Sequence, residues 1–156
     1  MVVKSLKEKV GIMKVRLIYL SGGMGNLPFE EQVGWRNEFV NGLLEKSTEK
    51  GYAFKPLFFN PPYYYSTSTK NHKSEREAME YDLCRLRESD IVVVNFNQPN
   101  SIGTAMELML AKELHIPVIG LNVNHLPLHP WLQECCTRLC DTMDEIISHV
   151  YDYYLN

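Results

Sequence analysis

The sequence lacks several features that would place it in a functional class at once. Its 156 residues carry a formal charge of only −3, so it has no basic excess with which to bind a nucleic acid polymer. Its apolar runs are only strand-sized, which predicts no transmembrane span. Residues 1–14 contain lysines but no apolar segment of the kind that a secretory signal needs. We therefore expect a cytoplasmic protein without membrane or nucleic acid partners, in which residues 1–14 are an extension and residues 15–156 form one α/β domain.

Metal-binding and phosphate-binding motifs are equally sparse. The four cysteines form no CxxC pair, and the cluster near Cys135 is expected to hold reduced thiols that pack like small hydrophobic side chains. His125 and His129 are four residues apart, but Pro127 between them makes a helical two-histidine zinc site improbable. Neither GxGxxG nor a P-loop GK[ST] occurs. The sequence thus predicts no metal site.

What the sequence does contain is a clear strand–helix–strand pattern at its centre. Asp90–Phe96 is nearly continuously apolar and rich in β-branched residues, as is typical of a parallel strand buried on both faces. A polar loop follows, then helical spacing over Thr104–Leu114 and a second buried strand over Val118–Leu121. This is a βαβ unit with an expected right-handed crossover, and the ligands of such sheets bind at the carboxyl ends of the strands.

The flanking segments repeat this alternation. Their patterns predict strands over residues 15–20 and 53–59, helices over 30–50 and 75–88, and one mostly helical segment over 132–155. Four or five parallel strands with intervening helices indicate a doubly wound, three-layer α/β sandwich of the Rossmann or flavodoxin type. The apolar loop after residue 121 and the C-terminal helix would be natural contact surfaces, so we expect a homodimer or a higher homo-oligomer.

Glu107 stands at the ligand end of this predicted sheet and has two interpretations. Thr104-Ala105-Met106-Glu107 fits a capping box, in which the glutamate reaches back to the first residue of the helix. Alternatively, its carboxylate faces the pocket, where a helix N-terminus would stabilise the ionised form that a nucleophile or a base requires. The local pattern leaves both interpretations open.

Other candidate residues lie where the first two strands end. Gly22 and Gly23 belong to a glycine-rich turn that either lets the backbone approach a ligand or is simply tight. Tyr19 could present its hydroxyl to the pocket or pack in the core. Asn60 ends the second strand and is a candidate substrate contact. The tyrosines of Tyr63–Tyr65 could stack on a flat ligand, or cover the core or a partner subunit.

Four short segments resemble the nucleoside 2-deoxyribosyltransferase family, which includes 2′-deoxynucleoside 5′-monophosphate N-glycosidases. The segments are IYLSGGM at 18–24, Asp82-Leu83, SDIVVVN at 89–95 and SIGTAMEL at 101–108. They are spread over about two thirds of the chain. The last segment is the specific one, because Gly103 and Glu107 stand at the family's spacing on a helix that follows a strand beginning with Ser-Asp.

The resemblance implies a role for several residues. Glu107 matches the family's nucleophilic glutamate, and Asp82 matches an acid that contacts the base or transfers a proton. Tyr19 matches a tyrosine near the sugar, and Gly22 matches a glycine of the turn under the ligand. Ser101 occupies a variable position, where transferases acting on free nucleosides can have aspartate and the monophosphate hydrolases have serine.

The activity implied by the resemblance is cleavage of the N-glycosidic bond of 2′-deoxynucleosides with transfer of the sugar to another nucleobase through a covalent glutamyl–sugar intermediate. The partners would be a deoxynucleoside or deoxynucleotide and a free nucleobase, with no metal or redox cofactor. An ionised carboxylate stabilises the oxocarbenium-like transition state, and a second acid can protonate the departing base.

Two alternatives to this transfer activity remain open. A deoxynucleoside 5′-monophosphate N-glycosidase is favoured by Ser101, and Arg36 is a basic candidate for its phosphate. A non-catalytic nucleotide-binding module is also conceivable, because fold does not fix function.

Overall fold

The computed structural model describes residues 14–64 and 72–156. Apart from Lys14, the predicted N-terminal extension therefore lies outside the described residues, and so does Tyr65. The strands are β1 (Val15–Gly22), β2 (Lys55–Phe59), β3 (Ile91–Asn95), β4 (Val118–Leu121) and β5 (Arg138–Cys140). The helices are α1 (Phe29–Lys50), α2 (Glu75–Glu88), α3 (Ile102–Glu113), α4 (Pro130–Cys135) and α5 (Met143–Val150). A 3₁₀ turn (Pro61–Tyr64) follows β2, and a π-helical turn (Tyr151–Leu155) follows α5.

The five strands form one parallel sheet in the order β2-β1-β3-β4-β5. From β1 the chain continues through α1 to β2, toward one edge of the sheet. From β3 it continues through α3 to β4, toward the opposite edge. The strand order therefore reverses between β1 and β3, where Gly22 lies opposite Asn95. Ligands of open α/β sheets bind outside the carboxyl ends of the strands at such a switch point. The doubly wound fold predicted from the sequence is confirmed.

Two apolar layers cover the faces of the sheet. Side chains of α1 and α5 pack with Ile18 and Leu20 on one face, and side chains of α2 and α3 pack with Val92 and Val94 on the other. Residues 91–94 of β3 are all fully buried, as their continuous apolar pattern predicts. None of the helices in 14–64 and 72–156 is long and apolar enough to cross a membrane.

Residues 132–155 are mostly helical, as predicted, but the sequence did not predict the short strand β5 that separates α4 from α5. Strand β5 pairs with β4 at the edge of the sheet and buries only Cys140, so its three residues carry no strand-like alternation. A start signal for α5 is nevertheless present in the sequence. Thr142 is its N-cap, and the Thr142 hydroxyl accepts a hydrogen bond from the Glu145 amide at 3.1 Å.

The expected start of α3 also differs from the observed one. Ser101, not Thr104, is the N-cap, and its hydroxyl oxygen accepts from the Thr104 amide at 3.4 Å. The Thr104 hydroxyl lies 3.0 Å from the same oxygen. Glu107 therefore lies in the second turn of the helix, and the capping-box interpretation of Glu107 is wrong.

Candidate active site

The carboxylate of Glu107 reaches from α3 to the end of β1. Its Oε2 atom accepts a hydrogen bond from the Ser21 hydroxyl at 2.7 Å. Ser21 is buried and is followed at once by Gly22, opposite β3. Glu107 thus lies at the switch point of the sheet, where the second interpretation of its sequence position had placed it.

Four neighbours and burial determine the ionisation of Glu107. The pKa of its carboxyl group is raised from an ordinary 4.5 to about 7, mainly by burial and in part by the negative charge of Asp82. Hydrogen bonds from Ser21 and Tyr19 and the positive charge of Arg36 act in the opposite direction. Because the resulting pKa is near neutrality, both the ionised and the protonated carboxyl are populated at pH 7.

Asp82 and Tyr19 are both buried beside this carboxylate. Asp82 lies on α2 and retains only 8% of its exposure, so it is not the solvated helix residue that its pattern alone indicates. Its charge acts on Glu107, which places two carboxyl groups in one site. Tyr19 is fully buried, with its ring centroid 5.3 Å from that of Phe59. Its ring therefore packs in the core while its side chain also hydrogen-bonds Glu107.

The glycine-rich turn is held closely against neighbouring segments. A Cβ on Gly22 would lie 3.1 Å from the Trp35 ring and 3.3 Å from the Asn95 carbonyl oxygen. A Cβ on Gly23 would lie 2.3 Å from Gln98 Oε1 and 2.5 Å from Gln98 Cβ. The Gln98 amide also donates to the carbonyl of Gly25 at 3.0 Å. Gly23 is therefore required by the packing of the β3–α3 loop against this turn.

The remaining predicted contact residues lie around the strand ends. Ser101 is half-buried at the start of α3, and Gly103 follows it on an exposed turn where an added Cβ would meet no described atom within 4 Å. Asn60 has a buried side-chain oxygen with no hydrogen-bond partner among the described residues. Tyr63 is exposed, and its hydroxyl donates to the Asn37 side-chain oxygen at 3.1 Å.

Ser21 and the position of Arg36 are the parts of the site that sequence reasoning missed. Ser21 follows Tyr19 by two residues, so strand alternation alone could have placed both side chains on the α2 and α3 face. Arg36 is fully buried, and its guanidinium donates to the carbonyls of Leu20 and Gly22 at 3.3 and 3.2 Å. A guanidinium enclosed in this way is no free cation for a substrate phosphate.

The described residues include no group of three histidine, cysteine, aspartate or glutamate side chains that could hold a metal ion. All four cysteines are free thiols, and burial raises the pKa of Cys136 to about 12. What the site offers instead is a pair of carboxyl groups with hydroxyl donors and a buried cation. This set of groups suits nucleophilic attack and proton transfer.

Comparisons with known proteins define the fold further. No family model and no curated protein sequence matches the chain. Among solved structures, a 2-deoxyribosyltransferase from Bacillus psychrosaccharolyticus aligns with a TM-score of 0.65 and 16% identity, over 84% of this chain and 90% of that one. A 2-deoxyribosyltransferase from Leishmania mexicana aligns with a TM-score of 0.59 and 15% identity, over 89% and 99% of the two chains.

A third solved structure with the same fold is a CMP N-glycosidase from Clostridium botulinum. It aligns with a TM-score of 0.52 and 17% identity, over 88% of this chain and 100% of that one. The chain therefore has the α/β fold that is found in 2-deoxyribosyltransferases and in this N-glycosidase. At the level of fold, the comparisons agree with the resemblance carried by the four sequence segments.

Proposed function

We propose that this protein is an enzyme that cleaves the N-glycosidic bond of 2′-deoxynucleosides and transfers the 2-deoxyribosyl group to another nucleobase. The observation that supports this proposal most directly is the Glu107 carboxylate, which is held by Ser21 at 2.7 Å beside Asp82 at the switch point of the sheet. Its half-buried position, with a pKa near neutrality, is typical of a functional carboxyl group.

The proposed reaction begins with attack by an ionised Glu107 oxygen on C1′ of the sugar. The bond between C1′ and the base nitrogen breaks, the base keeps the electron pair, and Asp82 supplies a proton to it. The product is a glycosyl ester of Glu107. A second base then attacks C1′, gives the proton of its attacking nitrogen to the ionised Asp82 and releases the Glu107 carboxylate, so that configuration is retained and both carboxyl groups return to their starting states. Tyr19 hydrogen-bonds the nucleophile, while Gly22, Gly23, Asn60, Ser101 and Gly103 would line the substrate site.

Two unlike carboxyl groups are what such chemistry requires. The negative charge of Asp82 raises the pKa of Glu107, because two ionised carboxyl groups repel each other, so the pair favours holding one proton between them. With that proton on Asp82, Glu107 is free to act as the nucleophile. A pair of carboxyl groups in unlike environments provides one nucleophile and one acid.

A 5′-monophosphate N-glycosidase is the second candidate, and the fold shared with the CMP N-glycosidase favours it. Ser101 at the first residue of α3 is neutral and would tolerate a phosphate. The enclosed guanidinium of Arg36 argues in the other direction, because it is not free to bind that phosphate. We therefore favour the free deoxynucleoside as substrate.

The test of both candidates is incubation with a deoxynucleoside, with or without a 5′-phosphate, in the presence of a second free base. Appearance of the exchanged nucleoside supports transfer, and free base with deoxyribose 5-phosphate supports the hydrolase. The matched control is Glu107→Gln, which keeps the shape of the side chain and should abolish turnover. Ligand binding without turnover by the parent protein would contradict both candidates and indicate a binding module.

A further inference from the structure

Arg36 is a charged residue on α1 whose side chain is completely enclosed. Its guanidinium donates from Nε to the carbonyl of Leu20 at 3.3 Å and from an Nη atom to the carbonyl of Gly22 at 3.2 Å. A further donor bonds the carbonyl of Gln32, and the Trp35 ring lies 4.6 Å away. Burying an arginine lowers the stability of the fold unless its N–H groups are hydrogen-bonded. We therefore expect the enclosed guanidinium of Arg36 to have a structural or functional role.

The two carbonyls that Arg36 holds on β1 belong to the residues on either side of Ser21. Fixing both of them fixes the backbone of Ser21 at the end of the strand. The Ser21 hydroxyl in turn donates to Glu107 at 2.7 Å. The Arg36 guanidinium is therefore connected to the Glu107 carboxylate by its hydrogen bonds to the Leu20 and Gly22 carbonyls, by the Ser21 backbone between them and by the hydrogen bond that the Ser21 hydroxyl donates.

The charge of Arg36 acts on the same group. Burial lowers the pKa of Arg36 to about 10, so it remains cationic at neutral pH. Its positive charge and the carboxylate of Glu107 attract each other, as do Arg36 and the Tyr19 oxygen when that group is ionised. On the other side Asp82 repels the ionised form of Glu107. Arg36 is thus the cation that opposes both burial and Asp82 at Glu107.

We propose that Arg36 is a positioning residue, which aligns Ser21 with Glu107 and keeps the Glu107 carboxylate ionised for attack. It contacts no substrate, because it is enclosed beneath the end of β1. The inference of a role in ionisation rests on the geometry of the site, whereas its effect on turnover rests on the proposed function.

The experiment follows the Glu107 carboxyl directly, by NMR titration of protein labelled with ¹³C at glutamate carboxyl groups, and assigns its signal with Glu107→Gln. In Arg36→Met the midpoint of this titration should move to higher pH, because the positive charge and the hydrogen bonds to the Leu20 and Gly22 carbonyls are both lost. Arg36→Lys keeps the charge but not the planar set of donors, so its midpoint should move less. Ser21→Ala should also move the midpoint upward. Arg87→Met, at an exposed residue of α2, is the control for loss of one positive charge and should leave the midpoint in place.

The double variant Arg36→Lys with Ser21→Ala tests whether Arg36 acts through Ser21. If it does, the two changes move the midpoint by less together than the sum of their separate effects. Should Arg36→Met fail to fold, Arg36→Lys and Ser21→Ala still carry the test. An unmoved Glu107 midpoint in folded Arg36→Lys and Arg36→Met overturns the inference.

The same variants separate this inference from the proposed function. In Arg36→Met the ratio of kcat/KM at pH 6 to kcat/KM at pH 8 should fall about fivefold to tenfold, because loss of a nearby opposite charge typically raises a carboxyl pKa by about one unit or more from the parent value of about 7. A purely structural role would lower kcat/KM equally at both pH values, and that result would contradict a role in ionisation. If the midpoint moves but no variant or parent turns over any deoxynucleoside, the proposed function fails while the role of Arg36 stands.

Discussion

Replacing Glu107 by glutamine should stabilise the folded protein at alkaline pH and leave its stability nearly unchanged at acid pH. Burial raises the pKa of this carboxyl group in the folded state to about 7, against an ordinary value of 4.5. Between these values the folded protein holds a proton that the unfolded chain has released. The free energy of unfolding therefore falls as pH rises, and the loss is complete above the folded-state pKa. Glutamine has no titrating proton, so the free energy of unfolding of the variant does not fall in this way as pH rises.

The size of the effect follows from the same two values. Each pKa unit corresponds to about 1.36 kcal/mol, so the interval from 4.5 to about 7 corresponds to roughly 3 kcal/mol. We expect Glu107→Gln to be more stable than the parent by about 3 kcal/mol at pH 8, and to differ little from it at pH 4.5. Glutamine can still accept the hydrogen bond that Ser21 donates, so the substitution removes the charge without removing this contact.

Urea unfolding of both proteins at several pH values between 4.5 and 8 measures this difference. Glu113→Gln is the matched control, because Glu113 lies exposed on the same helix and its substitution removes a carboxylate that remains in contact with water. A Glu107→Gln difference that stays constant across this range would refute the reasoning, since it would mean that the Glu107 carboxylate is not desolvated. The outcome does not depend on the proposed enzymatic activity.

Three further predictions concern the site. Asp82→Asn should bind substrate but turn over about 10²–10⁴-fold more slowly, because it loses the titrating proton; a kcat equal to that of the parent, with an unactivated base as leaving group, would remove Asp82 from the reaction. Ser101→Asp keeps a good helix N-cap but adds a negative charge, so kcat/KM should fall more for a 5′-monophosphate than for the nucleoside. Ser101→Asn is the uncharged control. Equal losses of kcat/KM on both substrates would show that Ser101 does not lie near the 5′ end of the substrate. Gly23→Ala should lower the free energy of unfolding by about 1–3 kcal/mol, because the added Cβ would lie 2.5 Å from Gln98 Cβ. In Gly25→Ala the added Cβ would meet no atom within 4 Å, so thermal unfolding of this control should be nearly the same as that of the parent.

The parts of the fold that the sequence predicts are those with a strong local pattern. Strand β3 is recognisable because four consecutive apolar residues are buried on both faces, and α3 follows it at helical spacing. Strand β5 could not be found in this way. It has three residues, two of them exposed, and it exists because β4 offers it an edge with which to pair. Pairing of this kind is a tertiary effect that no local window contains.

The candidate site divides in the same way. The position of Glu107 follows from the topology of a βαβ unit, since a helix that begins after a central strand starts at the ligand end of the sheet. The hydrogen-bond partner of the Glu107 carboxylate could not be predicted in this way, because Thr104 and Glu107 stand at capping-box spacing and the local sequence cannot exclude that motif. In the structure the Glu107 carboxylate instead accepts a hydrogen bond from the Ser21 hydroxyl at 2.7 Å.

Arg36 shows why the electrostatics of the site could not be predicted from local patterns. A lone arginine on an amphipathic helix is normally solvated or available to a ligand, and nothing near it in the sequence indicates burial. Its environment is created by the carbonyls of Leu20 and Gly22, which become available at the end of β1 only when the sheet is assembled. A buried cation and a half-buried carboxylate at one switch point both lower stability, and proteins keep such local conflicts mainly where function requires them. This cost is a physical argument for a functional site that is independent of the fold comparisons, and the pH-dependent stability of Glu107→Gln measures the carboxylate's share of it.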